Sequence, residues 1–137
     1  MRPIALAGSW LQIVATLVLF LAVVMRAGAP VSPYKSHDVS VPEVISLIES
    51  GALVIDVRYS PTTQLPGAML IPMEVLAARL EKLEIAKTQP IVVYCGNGSA
   101  RGPEASQILT RAGFTNVVNL GGGIDSWRAA GLPVTAG

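Results

Sequence analysis

The chain has 137 residues, of which 51% are hydrophobic and only 14% are charged, and its formal net charge is +1. This length allows one compact domain with an appendage, so two separate hydrophobic cores are not expected. The chain contains a single cysteine, Cys95, and a single histidine, His37. This composition excludes an intrachain disulfide and the common cysteine-rich zinc sites, so no metal site is predicted.

The N-terminal segment carries most of the apolar excess. No charged side chain occurs in Ile4–Met25, and these 22 residues would form a helix of roughly 33 Å, enough to cross a hydrocarbon core of about 30 Å. A cleavable secretory signal is the alternative, because the Ala-Gly-Ala at 27–29 resembles a cleavage site, but the apolar run exceeds the roughly 7 to 15 residues of a signal core. We therefore predict a single-pass membrane anchor at 1–26 and a linker at 27–37. Basic residues on its two sides nearly balance, so its orientation stays open.

Beyond the linker, acidic residues outnumber basic ones. Nine Asp and Glu stand against seven Lys and Arg, so this part of the chain has a net charge of −2. It lacks the basic electrostatic footprint of a nucleic-acid-binding protein, and no nucleic-acid partner is expected. His37 lies at the start of this part, where a solvated linker residue is predicted, so a Cys-His catalytic pair is not expected either.

Helical and strand patterns then alternate along the chain. A capping box at Ser40–Glu43, with a proline near the helix start, predicts a helix that ends at Gly51. The apolar run at 53–57 predicts a buried strand, and a second short strand is predicted at 69–71 after a loop with two prolines. Apolar residues recur at helical spacing from 73 to 83, which predicts a second helix.

The second half of the chain continues the alternation. Residues 91–94 predict a strong strand, and a helix with Pro103 at its first position is expected to end at Gly113. Another strand is predicted at 117–120, followed within 121–130 by a turn of three glycines and a short helix. Such alternation predicts an α/β fold with a central, mostly parallel sheet flanked by helices on both faces. In such sheets ligands bind at the carboxyl ends of the strands.

Cys95 follows the predicted strand at 91–94 and precedes a predicted helix start. A lone cysteine after an apolar strand is often a small buried hydrophobic residue. Here, however, the glycines that follow permit positive φ, so several backbone N–H groups can converge on an anion, and the helix dipole adds to their effect. Arg101 supplies a fixed cation with a planar donor fork for an oxyanion. The pattern therefore predicts a reactive thiolate in an anion cradle.

Two runs of the sequence resemble a rhodanese-like domain. The run YCGNGSARGPEASQILTRAGFTNVVNLGGGIDSWRAAGLPV, at 94–134, is similar to the C-terminal half of that domain. The run DVSVPEVISLIESGALVIDVR, at 38–58, is similar to the N-terminal half and ends in the family's Asp-Val-Arg. The loop that follows keeps Leu-Pro-Gly-Ala at 65–68 but lacks the Glu, the aromatic residue and the His that the family usually has. The resemblance implies a rhodanese-like domain at 38–137 with altered contacts at the substrate rim.

The resemblance implies a sulfurtransferase that needs no cofactor. In this family the loop cysteine takes a sulfane sulfur from an anionic donor such as thiosulfate and passes it to cyanide or a thiol, so Cys95 is the implied nucleophile and persulfide carrier. Arg101 would hold the donor, and Asp56 and Arg58 are expected to support the loop. A membrane protein or another sulfur-acceptor protein could be the partner. Backbone N–H groups would come from the remaining substrate-binding residues: Gly96, Asn97, Gly98, Ser99 and Ala100.

The loop from Cys95 to Arg101 has seven residues, one more than most sulfurtransferases of this fold. Seven is the length in related phosphatases and arsenate reductases, so an oxyanion-directed enzyme is the alternative prediction. Against it, Tyr94 replaces the usual phosphatase histidine, Gly102 replaces the usual Ser or Thr, and Glu104 is the only carboxylate near the loop in sequence. A non-catalytic binding module of the same family is the third interpretation.

Overall fold

The computed structural model describes Gln12, Val14, Ala15 and residues 37–137. Almost all of the predicted anchor, 1–26, and of the predicted linker, 27–37, therefore lies outside the described residues. Within the described part of the chain, no helix combines the length and the apolar character needed to cross a membrane.

Short strands alternate with helices, as the sequence patterns predict. The strands are β1 (Asp38–Val39), β2 (Leu53–Asp56), β3 (Thr63–Gln64), β4 (Met69–Leu70), β5 (Ile91–Tyr94), β6 (Val117–Leu120) and β7 (Thr135–Ala136). The α-helices of the same region are α1 (Val41–Glu49), α2 (Leu76–Lys82), α3 (Arg101–Arg111) and α4 (Gly123–Ala129).

Five strands form a parallel sheet in the order β1-β6-β5-β2-β4. Strand β5 lies in the middle, where Val92 pairs with Val54 of β2 and with Val118 of β6. Strands β3 and β7 pair separately and antiparallel. The predicted parallel sheet is confirmed. Strands β1, β3 and β7 were not predicted, since two residues are too few for the periodicity of a strand to show in the sequence, whereas β4, equally short, lies within the run predicted at 69–71.

Helices cover both faces of the sheet because the side chains of the central strands alternate between the faces. On one face Ile55 and Val93 pack in a cluster with residues of α2 and α3. On the other face Val54 and Val92 pack in a cluster with residues of α1 and α4. Residues of β2 and β5 are buried on both sides, as expected for central parallel strands.

Two helix boundaries differ from the sequence prediction. Helix α3 begins at Arg101 instead of Pro103, because the Glu104 N–H already donates to the Ala100 carbonyl at 3.1 Å. Pro103 therefore lies in the first turn, where its missing N–H would have no helical acceptor. The helix predicted at 73–83 is divided into a 3-10 turn, Met73–Val75, and α2, since Val75 has the non-helical φ of −116°.

Candidate active site

Cys95 lies at the carboxyl end of the central strand β5, beside an open pocket of about 430 Å³. Because the strands are parallel, the segments that follow β2, β5 and β6 meet at the same edge of the sheet. Every predicted substrate-binding residue lines the pocket except Gly98, which is buried. The lining residues are Cys95, Gly96, Asn97, Ser99, Ala100, Arg101 and Asp125.

The thiol of Cys95 accepts a hydrogen bond from within its own loop. Its side chain is buried, with 4% exposed, and the Gly98 N–H donates to Sγ at 3.2 Å. Gly98 has a φ of +75°, and a Cβ built on it would lie 2.5 Å from the Gly122 nitrogen. A side chain at Gly98 is therefore excluded both by conformation and by space, so the position that donates to the sulfur requires glycine.

The start of α4 holds the first half of the loop. The Ile124 N–H donates to the Cys95 carbonyl and the Asp125 N–H to the Gly96 carbonyl, both at 3.0 Å. In a trans peptide the C=O and the following N–H point in opposite directions, so the N–H groups of Gly96 and Asn97 point away from these donors. The glycine triplet was predicted only as a turn, but Gly123 contacts the loop so closely that a Cβ there would lie 2.4 Å from the Cys95 carbonyl oxygen.

Asn119 of β6 holds the second half of the loop, and the sequence analysis did not identify it. Its Nδ2 donates to the Asp38 carboxylate at 3.0 Å and to the Gly98 carbonyl at 3.4 Å. Its Oδ1 is buried without a hydrogen-bond partner among the described residues, and a Cβ on Gly102 would lie 2.0 Å from it. The signal available in the sequence was a polar residue inside the otherwise apolar run VVNL, and the structure shows that this residue is fully buried.

The exposed tip of the loop is closed by its own side chains. Asn97 Oδ1 accepts from the Ser99 N–H at 3.1 Å and from the Ser99 hydroxyl at 2.8 Å. This local turn uses a backbone donor that was predicted to face the substrate. In this structure the N–H of Ser99 therefore stabilises the conformation of the loop by donating to Asn97 within it.

Arg101 lies at the rim of the pocket against two residues that are distant in sequence. Its guanidinium stacks over the Tyr59 ring at 4.2 Å, and its Nη1 lies 3.5 Å from Glu74 Oε1. The Tyr59 hydroxyl donates to the same Glu74 oxygen. This hydrogen bond, together with the charge of Arg101, holds the pKa of Glu74 below its usual value. Neither Tyr59 nor Glu74 was identified from the sequence.

A carboxylate also reaches the pocket from α4. Asp125 lines the pocket, and its Oδ1 lies 3.9 Å from Nη1 of Arg128, one turn further along the helix. Glu104, the only carboxylate close to the loop in sequence, is exposed on α3 and does not line the pocket. The sequence analysis therefore missed the acidic side of the site, since Asp125 is 30 residues from the cysteine along the chain.

Asp56 and Arg58 form a hydrogen-bonded network beside β5, the strand that directly precedes Cys95. The Asp56 carboxylate is fully buried and receives two hydrogen bonds from the Arg58 side chain, at 2.9 and 2.7 Å, and one from the Tyr94 hydroxyl at 2.9 Å. Burial alone would raise the pKa of Asp56, but these hydrogen bonds outweigh it and hold that pKa below the usual value. Burial raises the pKa of Tyr94, which therefore stays a neutral donor. Neither Asp56 nor Arg58 lines the pocket.

His37 lies in a different region from Cys95. It lines a separate pocket of about 560 Å³, together with Leu47, Pro90 and residues around the start of β6. No histidine is among the residues that line the cysteine pocket. The geometry of the described residues therefore offers no imidazole to accept a proton from the thiol.

The family model for the rhodanese-like domain matches residues 40–130. The chain belongs to the rhodanese-like family. A relative named sulfurtransferase, from Allochromatium vinosum, is 36% identical over 87 residues, which cover 61% of this chain and 78% of the relative. The thiosulfate sulfurtransferase GlpE of Pseudomonas savastanoi pv. phaseolicola is 32% identical over 87 residues, which cover 61% of this chain and 79% of GlpE.

Solved rhodanese-like structures share this fold. The rhodanese-like domain of the Anabaena protein Alr3790 is 33% identical and superposes with a TM-score of 0.58, covering 62% of this chain and 99% of that domain. The human single-domain sulfurtransferase TSTD1 is 29% identical with a TM-score of 0.57, covering 69% of this chain and 96% of TSTD1. The α/β rhodanese-like fold inferred from the sequence is thus confirmed for the domain.

Proposed function

We propose that this protein is a sulfurtransferase that carries a sulfane sulfur as a persulfide on Cys95. The main supporting observation is the position of the thiol, whose Sγ accepts the Gly98 N–H at 3.2 Å beside a pocket that also contains Arg101. Relatives of this chain are named sulfurtransferases, which supports the same chemistry. The donor would be a small anion such as thiosulfate, and the acceptor would be a thiol or cyanide.

The first step needs a thiolate and an anionic donor in one pocket. The Cys95 thiolate attacks the outer sulfur of thiosulfate, a new S–S bond forms, and the bond from that sulfur to the sulfonate breaks, so sulfite leaves with the electron pair. Arg101 would hold the donor oxygens, and N–H groups of the loop would stabilise the negative sulfur. An acceptor thiolate then attacks the outer sulfur of the persulfide and restores the Cys95 thiolate.

The proposal includes a single-pass membrane anchor at residues 1–26. Its support is the sequence alone, in which Ile4–Met25 has no charged side chain over a length sufficient to cross a bilayer. We expect the full-length chain to stay in the membrane pellet after an alkaline carbonate wash and to be released only by detergent. Release by carbonate, or a mature N-terminus beyond residue 26, would contradict the anchor. Reporter fusions at the C-terminus would then determine the side of the membrane on which the domain lies.

A phosphatase or arsenate reductase is the second candidate function. Two observations favour it: the seven-residue loop from Cys95 to Arg101, and the Asp125 carboxylate, which lies at the pocket where a proton donor would be required. Turnover of p-nitrophenyl phosphate, or reduction of arsenate, that depends on both Cys95 and Asp125 would support this candidate.

Intact mass spectrometry tests the proposed function directly. Full-length protein in detergent, incubated with thiosulfate, should gain one sulfur atom, and cyanide should remove it with formation of thiocyanate. Cys95→Ala should gain none, whereas His37→Ala, altered in the separate pocket, should behave as the unchanged protein. If no sulfane donor modifies Cys95, the sulfurtransferase proposal is wrong. Cys95-dependent oxyanion chemistry would then support the second candidate, and retention of a membrane partner without any activity would support a binding module.

A further inference from the structure

Arg101 reaches the cysteine pocket from the first residue of α3, and its long side chain is partly exposed. A free arginine side chain occupies many rotamers, and an anion that orders it on binding loses affinity for that reason. A guanidinium that is already held at the pocket therefore binds an anion more tightly than a mobile one. The residues that hold Arg101 in place thus affect the affinity of the pocket.

Two side chains contact the Arg101 guanidinium, and they also contact each other. The centre of the Tyr59 ring lies 4.2 Å from the guanidinium carbon, and Glu74 Oε1 lies 3.5 Å from Arg101 Nη1. The Tyr59 hydroxyl donates to the same Glu74 oxygen. The three side chains therefore form a closed set of contacts in which each one restrains the other two.

The contact with the ring restrains Arg101 without using its hydrogen-bond donors. The N–H donors of a guanidinium lie in one plane, so a ring that stacks on its face leaves them available to an oxyanion. The Glu74 carboxylate, in contrast, takes one of these donors at the long distance of 3.5 Å, and both members of this ion pair are partly exposed. Because exposed ion pairs contribute little, we take the ring as the main restraint on the plane of the guanidinium.

Tyr59 has no evident role in the core or in the pocket itself. Its ring is 58% exposed, and it belongs to neither of the two hydrophobic clusters of the described residues. It is not among the residues that line the cysteine pocket. Its aromatic ring is therefore explained by the contact with Arg101 rather than by burial or by a contact with the ligand.

We propose that Tyr59 is a positioning residue, whose ring keeps the Arg101 guanidinium oriented at the pocket for an anionic ligand. The inference deepens the proposed function and rests on it, since Arg101 is the residue that would hold the donor anion there. Tyr59 takes part in no bond that forms or breaks. Its effect is on the affinity of the pocket, through the population of Arg101 side chains that are ready to bind.

The first measurement is the dissociation constant of thiosulfate, by calorimetry on full-length Cys95→Ser in detergent, a background in which no persulfide can form on residue 95. Adding Tyr59→Leu should raise this constant about two- to fivefold, which is the effect of losing one exposed cation–π contact. Tyr59→Phe keeps the ring and should restore most of the affinity. Leu83→Ala removes another exposed apolar side chain, at the end of α2 and outside the pocket, and should leave the constant unchanged.

The second measurement shows whether Tyr59 acts through Arg101. In protein with Cys95 intact and with cyanide as the acceptor, Tyr59→Leu should lower kcat/KM for thiosulfate by a similar factor, and kcat should change less than KM. In an Arg101→Ala background the same substitution should have little further effect, because no guanidinium is left to orient. A merely structural role of Tyr59 would lower kcat/KM about equally in both backgrounds.

The outcomes distinguish this inference from the function on which it rests. Three results would overturn the positioning role and leave persulfide formation on Cys95 intact: unchanged or tighter binding of thiosulfate in Tyr59→Leu, no rescue by Tyr59→Phe, or an equal effect with and without Arg101. Weaker binding in Tyr59→Leu with rescue by Tyr59→Phe, in a protein that forms no persulfide with any donor, would uphold the positioning role and contradict the sulfurtransferase proposal.

Discussion

Two regions of the cysteine pocket are held in different ways. The floor contains the thiol and the residues that position its loop: Cys95, Gly98, Asn119 and Gly123. The rim contains two side chains that line the pocket, Arg101 and Asp125, and two that contact Arg101, Tyr59 and Glu74. Floor contacts are buried and are made largely by backbone atoms, whereas rim contacts are ion pairs and ring contacts between partly exposed side chains.

This difference indicates which properties of the site are easily altered. A Cβ at Gly98 or Gly123 would meet backbone atoms at 2.5 or 2.4 Å, so neither of these two floor positions can accommodate a side chain without a shift of the backbone. Exposed ion pairs contribute about 0 to 1 kcal/mol, so rim residues can change with little cost in stability. Under the proposed function, persulfide formation should depend on the floor and the binding of the donor on the rim. Four substitutions test this comparison, in order of decreasing effect on stability.

The largest effect is expected beneath the floor, at Asp56. Asp56→Asn should lower the free energy of unfolding by about 3 kcal/mol, because it leaves the Arg58 charge without its buried partner. The pKa of Asp56 is lowered in the folded state, so its contribution is complete above the unfolded value of about 4 and is lost as the pH falls through the folded value.

Urea unfolding at a series of pH values measures this contribution. The gap between the unchanged protein and Asp56→Asn should be widest near pH 7 and should narrow below about pH 4. Glu104→Gln, at an exposed carboxylate of α3, should show no such gap at either pH. A gap that stays constant down to acidic pH would contradict the assignment of the lowered pKa to Asp56.

The next largest effect is expected at Gly123, in the floor itself. Gly123→Ala should cost about 2 kcal/mol or more, because a φ of +58° disfavours a side chain and the Cβ would meet the Cys95 and Gly96 carbonyls. Persulfide formation should fall with it. Gly131→Ala is the matched control, since its φ is +73° but, among the described residues, no atom beyond its chain neighbours lies within 4 Å of the added Cβ. It should therefore cost only about 1 kcal/mol. Equal losses in chemical denaturation would show that the floor tolerates a side chain.

A smaller effect is expected at Asn119. Asn119→Ala removes the hydrogen bonds to Asp38 and Gly98, but it also removes a buried oxygen that has no hydrogen-bond partner in the described part of the chain. The net loss should therefore be about 1 kcal/mol. The rate of persulfide formation should fall several-fold, because Gly98 carries the N–H that reaches the thiol. Asn116→Ala loses only an exposed hydrogen bond to Thr88 and should keep the rate of the unchanged protein. An unchanged rate in Asn119→Ala would argue against a role in loop positioning.

The smallest effect on stability is expected at Arg101. Arg101→Lys keeps the charge but loses the planar fork that stacks on Tyr59, so the melting temperature should shift little while KM for an anionic donor rises several-fold. Arg111→Lys, at the other end of α3, provides the control for both measurements. A large loss of stability in Arg101→Lys would show that Arg101 is needed for the fold, as the floor residues are, and would contradict the distinction between the two regions.

Local sequence patterns are sufficient to predict the helices and longer strands and the order in which they occur. Apolar runs at β2, β5 and β6 and the helices between them predict the parallel sheet, because buried strands and amphipathic helices each leave a local pattern. The position of Cys95 between β5 and a helix start is also local, so the cysteine loop and its family resemblance can be recognised in the sequence without the fold. The N-cap at Ser40 is confirmed for the same reason, since its hydroxyl accepts from the Glu43 N–H, three residues along the chain.

The tertiary structure alone decided what surrounds that loop. Glu74 and Tyr59 are 27 and 42 residues from Arg101, and Asn119 is 21 residues from Gly98, so no period or spacing relates them. Their contacts arise because segments after different parallel strands converge at one edge of the sheet. Local sequence therefore predicts the thiol and its loop, whereas the folding together of distant segments sets the charge and the shape of the pocket around the thiol.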